Sequence, residues 1–82
     1  MRLKFYSLST CIWCRKTRTY LDENNISYAE VTVDKLTGGE REEALRELAR
    51  FNPNKSFPTL VFENGKIVIG YKPDDIRDAL KK

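Results

Sequence analysis

Two cysteines, Cys11 and Cys14, stand in the run Cys11-Ile12-Trp13-Cys14, and the chain holds no others. A C-x-x-C pair supports reversible thiol–disulfide exchange or supplies half of a metal site. Composition narrows the choice. The 82 residues include no histidine, which excludes His-based general acid–base chemistry and Ser-His-Asp triads. Two Cys without His also fall short of the four ligands of a mononuclear zinc site within one chain. An i, i+3 spacing on a helix brings the two Cα atoms to about 5 Å, which a disulfide tolerates. Chemistry in this chain must therefore run on two thiols, carboxylates, amines and backbone.

Position separates the two thiols. Leu3 to Leu8 reads as a strand ending in the polar turn Ser9-Thr10, and a helical pattern starts at Ile12. Cys11 thus falls at a helix N-terminus, where unpaired N–H groups and the positive end of the macrodipole favour a thiolate. Arg15, Lys16 and Arg18 add positive charge close by. Because the thiolate is the attacking species, Cys11 is the expected nucleophile. Cys14 shares a helix face with Thr17 and Leu21, so it should be buried and act second, as the resolving thiol. Trp13 is expected to lie exposed beside Cys11 as an apolar contact for a partner. This placement favours a redox dithiol over a metal site or inert core thiols.

The elements that hold the dithiol follow from periodicity. The first helix runs from Ile12 to about Asn24, where Asn24-Asn25 stops it. Ala29, Val31 and Val33 alternate with Glu30, Thr32 and Asp34 as a half-buried strand. After the loop Thr37-Gly38-Gly39, Glu40 to Phe51 is amphipathic, with Ala44, Leu45, Leu48 and Ala49 inward and Glu42 and Arg46 placed to pair. Asn52 to Ser56 is a loop. Thr59–Phe62 and Lys66–Ile69 are strands joined at Asn64-Gly65, a strong hairpin signal. A last helix spans about Pro73 to Lys81, with Asp74 and Asp75 at its positive end and Lys81-Lys82 at its negative end. The order is βαβαββα in one domain, 1–82. It predicts an α/β fold whose four-stranded mixed sheet is flanked by three helices. The first two β-α-β units imply parallel strands, and the hairpin adds an antiparallel edge.

Fifteen Lys and Arg against twelve Asp and Glu give a net charge of +3, spread along the chain. No basic-aromatic stripe or polybasic helix accompanies it, so neither nucleic acid nor membrane is an expected partner. The N-terminal residues Met1 to Tyr6 interleave charge with apolar side chains and lack an apolar leader, which points to the cytoplasm. A reducing compartment fits a catalytic dithiol better than a structural disulfide.

Three segments together resemble the glutaredoxin branch of the thioredoxin superfamily, over essentially the whole chain. They are the dithiol after the first strand, Ser56-Phe57-Pro58-Thr59 before the third, and Gly70-Tyr71-Lys72-Pro73-Asp74 before the last helix. The resemblance implies a thioredoxin/glutaredoxin fold, a cis Pro58 facing the dithiol, and a Phe57 backbone offered to an incoming peptide or glutathione. It also implies partner contacts at Gly70, Tyr71 and Lys72. No bound cofactor is implied; glutathione would enter as a co-substrate. Two departures matter. Ile12 replaces the proline of the usual Cys-Pro-Tyr-Cys, and Tyr71 stands where glutaredoxins carry the second glycine of a Gly-Gly pair. The segment from Gly70 to Asp74 looks instead like that of NrdH-type redoxins, which a thioredoxin-reductase-type enzyme reduces and which donate electrons to ribonucleotide reductase. The expected protein is a monomeric dithiol–disulfide oxidoreductase with protein disulfides as clients, reduced by such an enzyme or by a low-molecular-weight thiol. A glutathione-dependent glutaredoxin is the near alternative. A dimeric iron–sulfur cluster carrier is the alternative of another class.

Overall fold

Apolar residues on both faces of one strand mark the centre of the sheet. In the computed structural model, which describes residues 3–80, β1 (Leu3–Ser7) buries Leu3 and Phe5 on one face and Tyr6 on the other. Such a strand needs cover on both sides. The helices α1 (Ile12–Glu23) and α3 (Pro73–Leu80) supply one layer, packing Cys14, Leu21, Ile76 and Ala79 against Leu3, Phe5, Leu60, Phe62 and Val68. The helix α2 (Gly38–Phe51) supplies the other through Leu48, which meets Tyr6 and Val33. The strands β2 (Tyr28–Thr32), β3 (Thr59–Phe62) and β4 (Ile67–Ile69) complete a sheet of order β2-β1-β3-β4. The expected α/β architecture of four mixed strands and three helices is the one observed. The expected end of α3 at Lys81, and the pair Lys81-Lys82, lie outside the described residues.

Strand direction departs from the expectation at β3. β1 and β2 are parallel, with Ser7 opposite Thr32, but β3 is antiparallel to β1, with Tyr6 opposite Thr59. The connection from Thr32 to Thr59 therefore leaves and re-enters the sheet at the same end. The crossover rule concerns strands that do return in parallel, and it does not dictate that they must. Here α2 carries the chain across the sheet rather than back along β2. Buried Asn52 then fixes the re-entry. Its amide donates to Ser56 Oγ at 2.9 Å and Thr59 Oγ1 at 3.1 Å, and its carbonyl oxygen accepts from the Asn54 N–H at 3.2 Å.

Smaller differences have local causes. Val33 does not extend β2 but begins a 3-10 turn, Val33–Lys35. Its side chain is buried against Tyr6 and Leu48, while the Asp34 carboxylate accepts from the Ser9 N–H at 2.9 Å and from the Ser9 hydroxyl. The helix α2 starts at Gly38 rather than Glu40. Arg41 closes its entrance by donating to the carbonyls of Leu36 and Asp34 at 3.1 and 3.3 Å, and glycine costs little in a first turn compared with a helix interior. The hairpin turns over Phe62–Gly65, closed by the Gly65 N–H on the Phe62 carbonyl at 2.9 Å, with Gly65 at φ +88°. Among the described residues the ion pairs are Lys4–Glu47, Arg18–Glu30 and Arg77–Asp74, so Glu42 and Arg46 do not make the expected pair with each other.

Candidate functional site: a dithiol at a helix N-terminus

Cys11 is the N-cap residue of α1, with extended backbone at φ −84° and ψ 117°. Its N–H donates to the Leu8 carbonyl at 3.2 Å, and its own carbonyl accepts the first helical bond from Arg15 at 3.1 Å. Its sulfur takes the position that a Ser or Asp oxygen fills in an ordinary cap, accepting the Cys14 N–H at 3.3 Å. That donor is one of the groups a helix start leaves unsatisfied, and it holds negative charge well. Cys11 is partly exposed, whereas Cys14, one turn in, has no accessible surface. Burial pushes the Cys14 thiol up from 9.0 to about 12, and its hydrogen bond with Cys11 adds to the rise. Both cysteines are free thiols. One thiol is thus open and held by a backbone donor, and the other is sealed and protonated.

The segments expected to face the dithiol meet in one cleft. Trp13, Phe57, Pro58, Gly70 and Tyr71 line a space of about 250 Å3. The Phe57–Pro58 bond is cis, and the partly buried Cys11 and Phe57 both pack on the core cluster that contains Cys14. Gly70 ties the cleft together, since its N–H donates to the Pro58 carbonyl at 2.8 Å. It does so at φ +93°, a conformation that favours glycine; an added Cβ would meet only Lys72 Cε at 3.8 Å, so backbone conformation rather than space is the constraint. Trp13 is 53% exposed. Its indole stacks on the Tyr71 ring, with centroids 6.1 Å apart and planes 23° from parallel. Lys16 Nζ sits 5.1 Å from the Trp13 centroid on a cation–π contact. Lys72 is exposed and does not line the cleft; only its stem approaches Gly70.

Sequence reasoning missed the polar support beneath the dithiol. Arg18, one turn after Cys14, grips Glu30 of β2 through Nε at 2.9 Å and Nη2 at 2.5 Å. The buried Ser7 hydroxyl donates to the same carboxylate at 2.6 Å. The Arg18 guanidinium holds the Glu30 carboxyl below its ordinary 4.5, against the opposing effect of burial. Arg18 also works weakly against the rise at Cys14. The only signal available was a Glu at a half-buried strand position opposite a basic helix residue. Among the described residues no group of three or more Cys, Asp or Glu lies together as a metal cage, and no helix is long and apolar enough to cross a membrane.

A four-stranded mixed sheet with a C-x-x-C pair capping its first helix and a cis proline opening its third strand defines a thioredoxin-fold redox protein. Known proteins narrow this further. The glutaredoxin family model matches residues 3–68, and the chain belongs to the glutaredoxin family. It is 35% identical over 81 residues to a glutaredoxin-like 8.6 kDa protein in the rubredoxin operon of Clostridium pasteurianum, covering 98% of this chain and 99% of that one. Among solved structures it resembles the glutaredoxin of Methanosarcina mazei Go1, with a TM-score of 0.91, 42% identity, and 99% and 79% of the two chains covered. It also resembles the methanoredoxin of Methanosarcina acetivorans, with a TM-score of 0.91, 39% identity, and 98% and 84% covered.

Proposed function

We propose that the protein is a cytoplasmic, monomeric dithiol–disulfide oxidoreductase that reduces protein disulfides, with Cys11 attacking and Cys14 resolving. The observation that carries this reading is the inequality of the two thiols: one sulfur is accessible and accepts a helix-terminal N–H, the other is buried with its proton held to about 12. Cys11 thiolate attacks one sulfur of the client disulfide, forming a mixed disulfide and expelling the other client sulfur as a thiolate. Cys14 then gives up its proton and attacks Cys11 Sγ. The client's second thiolate leaves, the 11–14 disulfide forms, and two electrons have passed to the client. A reductant returns the pair to the dithiol.

The cleft bears on which reductant serves. Tyr71 fills the place of a family glycine, and its ring stacks on Trp13 along the wall where a small thiol would approach. This supports an NrdH-like protein, reduced by a thioredoxin-reductase-type enzyme and suited to a large client such as ribonucleotide reductase. In that reading Trp13, Phe57, Pro58, Gly70, Tyr71 and Lys72 make the partner contacts. The test is to equilibrate the oxidised protein in glutathione buffers and read intact mass, with Cys14→Ser alongside. A disulfide that persists in large glutathione excess supports the proposal. Ready reduction, with one glutathione added at Cys11, makes the protein a glutathione-dependent glutaredoxin instead.

A further inference from the structure

A second, larger depression of about 460 Å3 runs along the outer face of α1 and shares Tyr71 with the cleft. Ile12, Tyr20 and Tyr71 give it an apolar floor, and Arg15, Lys16 and Glu23 stand along it. Ile12, 59% exposed, and Trp13 are the most exposed large apolar side chains among the described residues, and they directly follow Cys11 in sequence. An apolar surface this open beside a reactive sulfur is suited to a partner that arrives only for the reaction.

Charge says which partner. The ion pairs formed among the described residues engage Lys4, Arg18 and Arg77, so Arg15 and Lys16, at the end of the groove nearest Cys11, have no carboxylate partner there, and Lys16 rests on the Trp13 ring. Glu23 is the single carboxylate in the lining, and it stands at the far end. Distance converts this into a pattern. From Ile12 to Glu23 the helix rises about 16 Å, the reach of about five extended residues. Arg15 and Lys16 lie about 5 Å along it, opposite the second or third residue of a chain leaving a cysteine bonded to Cys11.

We propose that this groove seats the polypeptide flanking the client's cystine, and that it selects an acidic residue two or three positions from the reactive cysteine. A basic residue is accommodated only near the far end, beside Glu23. The proposal rests on the disulfide-reductase reading above and adds the class of client sequence. It assigns Arg15 and Lys16 to recognition through rim charges, which act mainly on the rate of encounter and on selectivity.

The test uses Cys14→Ser protein and two synthetic peptides whose single cysteine is activated as a mixed disulfide with nitrothiobenzoate. One peptide carries Glu at the second and third positions on both sides of the cysteine, the other Lys. Cys11 thiolate attacks the peptide sulfur, the S–S bond breaks, and nitrothiobenzoate leaves as a coloured thiolate, so rate and adduct mass are both read. The acidic peptide should react about fivefold faster at low ionic strength, an advantage that collapses in about 0.5 M salt. In the double variant Arg15→Glu/Lys16→Glu the ratio should invert. Because the ratio is taken within each protein, any change in Cys11 reactivity cancels. Equal rates for the two peptides, or a preference that survives charge reversal, overturn the groove assignment while leaving the reductase reading intact. If neither peptide nor a small disulfide such as 2-hydroxyethyl disulfide reacts, the reductase reading itself falls, and this proposal with it.

Discussion

Burial of Cys14 imposes a pH dependence that can be worked from the structure. Its thiol is pushed from 9.0 up to about 12, chiefly because no water reaches it and then because it is hydrogen-bonded to Cys11. A rise of about three units makes the thiolate fraction roughly a thousandfold smaller at any pH below about 9. The perturbation is a titration of the reduced protein from about pH 6 to 11, read by NMR of 13C-labelled cysteine Cβ atoms, which report each thiol separately. The Cys14 resonance should hold its thiol position through about pH 10. In the mixed disulfide Cys11 carries no charge, so its contribution to the rise disappears while the larger effect of burial stays. Resolution by Cys14 should therefore speed up by about tenfold per pH unit between about 7 and 10. Ionisation of Cys14 with a midpoint below about 9, or a resolution rate flat across that window, would refute the reasoning.

Other expectations concern the elements around the dithiol. Tyr71→Gly removes the ring stacked on Trp13 and should raise the rate of glutathione addition to Cys11 by about fivefold, a stack being worth about 1 kcal/mol; stopped-flow rates that do not change would deny Tyr71 its blocking role. Glu30 is held below its ordinary 4.5, so its stabilising contribution is full above 4.5 and lost as pH falls through the lowered folded value. The wild-type melting temperature should accordingly drop more between about pH 6 and 3 than that of Glu30→Gln, and parallel curves would contradict this. Asn52→Ala removes a nearly inaccessible amide that binds Ser56, Thr59 and Asn54 and should cost about 2–3 kcal/mol in urea unfolding; a loss under about 0.5 kcal/mol would show that the re-entry loop is held otherwise.

Local signals carried most of the frame. Cys11 before a helical pattern, the alternation at Ala29–Val33, the apolar stripe of Ala44 and Leu48, and the turn at Asn64-Gly65 are all short-range, and each yields an observed element to within a few residues. What the sequence left dark depends on partners distant along the chain. The direction of β3 is decided where α2 delivers Asn52, and no periodicity encodes that. Val33 alternates like a strand residue, yet its burial under Leu48 turns it out of the sheet. The grip of Arg18 on Glu30, twelve residues apart, requires knowing that α1 lies over the β1–β2 pair. At the site, the cis Phe57–Pro58 bond came from family resemblance, since an X-Pro sequence permits cis without requiring it. The stack of Trp13 on Tyr71 brings together residues assigned separately to partner contact, across 58 positions of chain.

Trapping is the most direct test of the assigned roles. Reduced Cys14→Ser, mixed with a protein or peptide disulfide and quenched in acid, should accumulate a single covalent adduct, mapped by peptide mass to Cys11. Cys11→Ser should form none and should lose disulfide reduction altogether. An adduct that maps to residue 14 in Cys11→Ser, or full turnover by that variant, would contradict the division of labour between the exposed and the buried thiol.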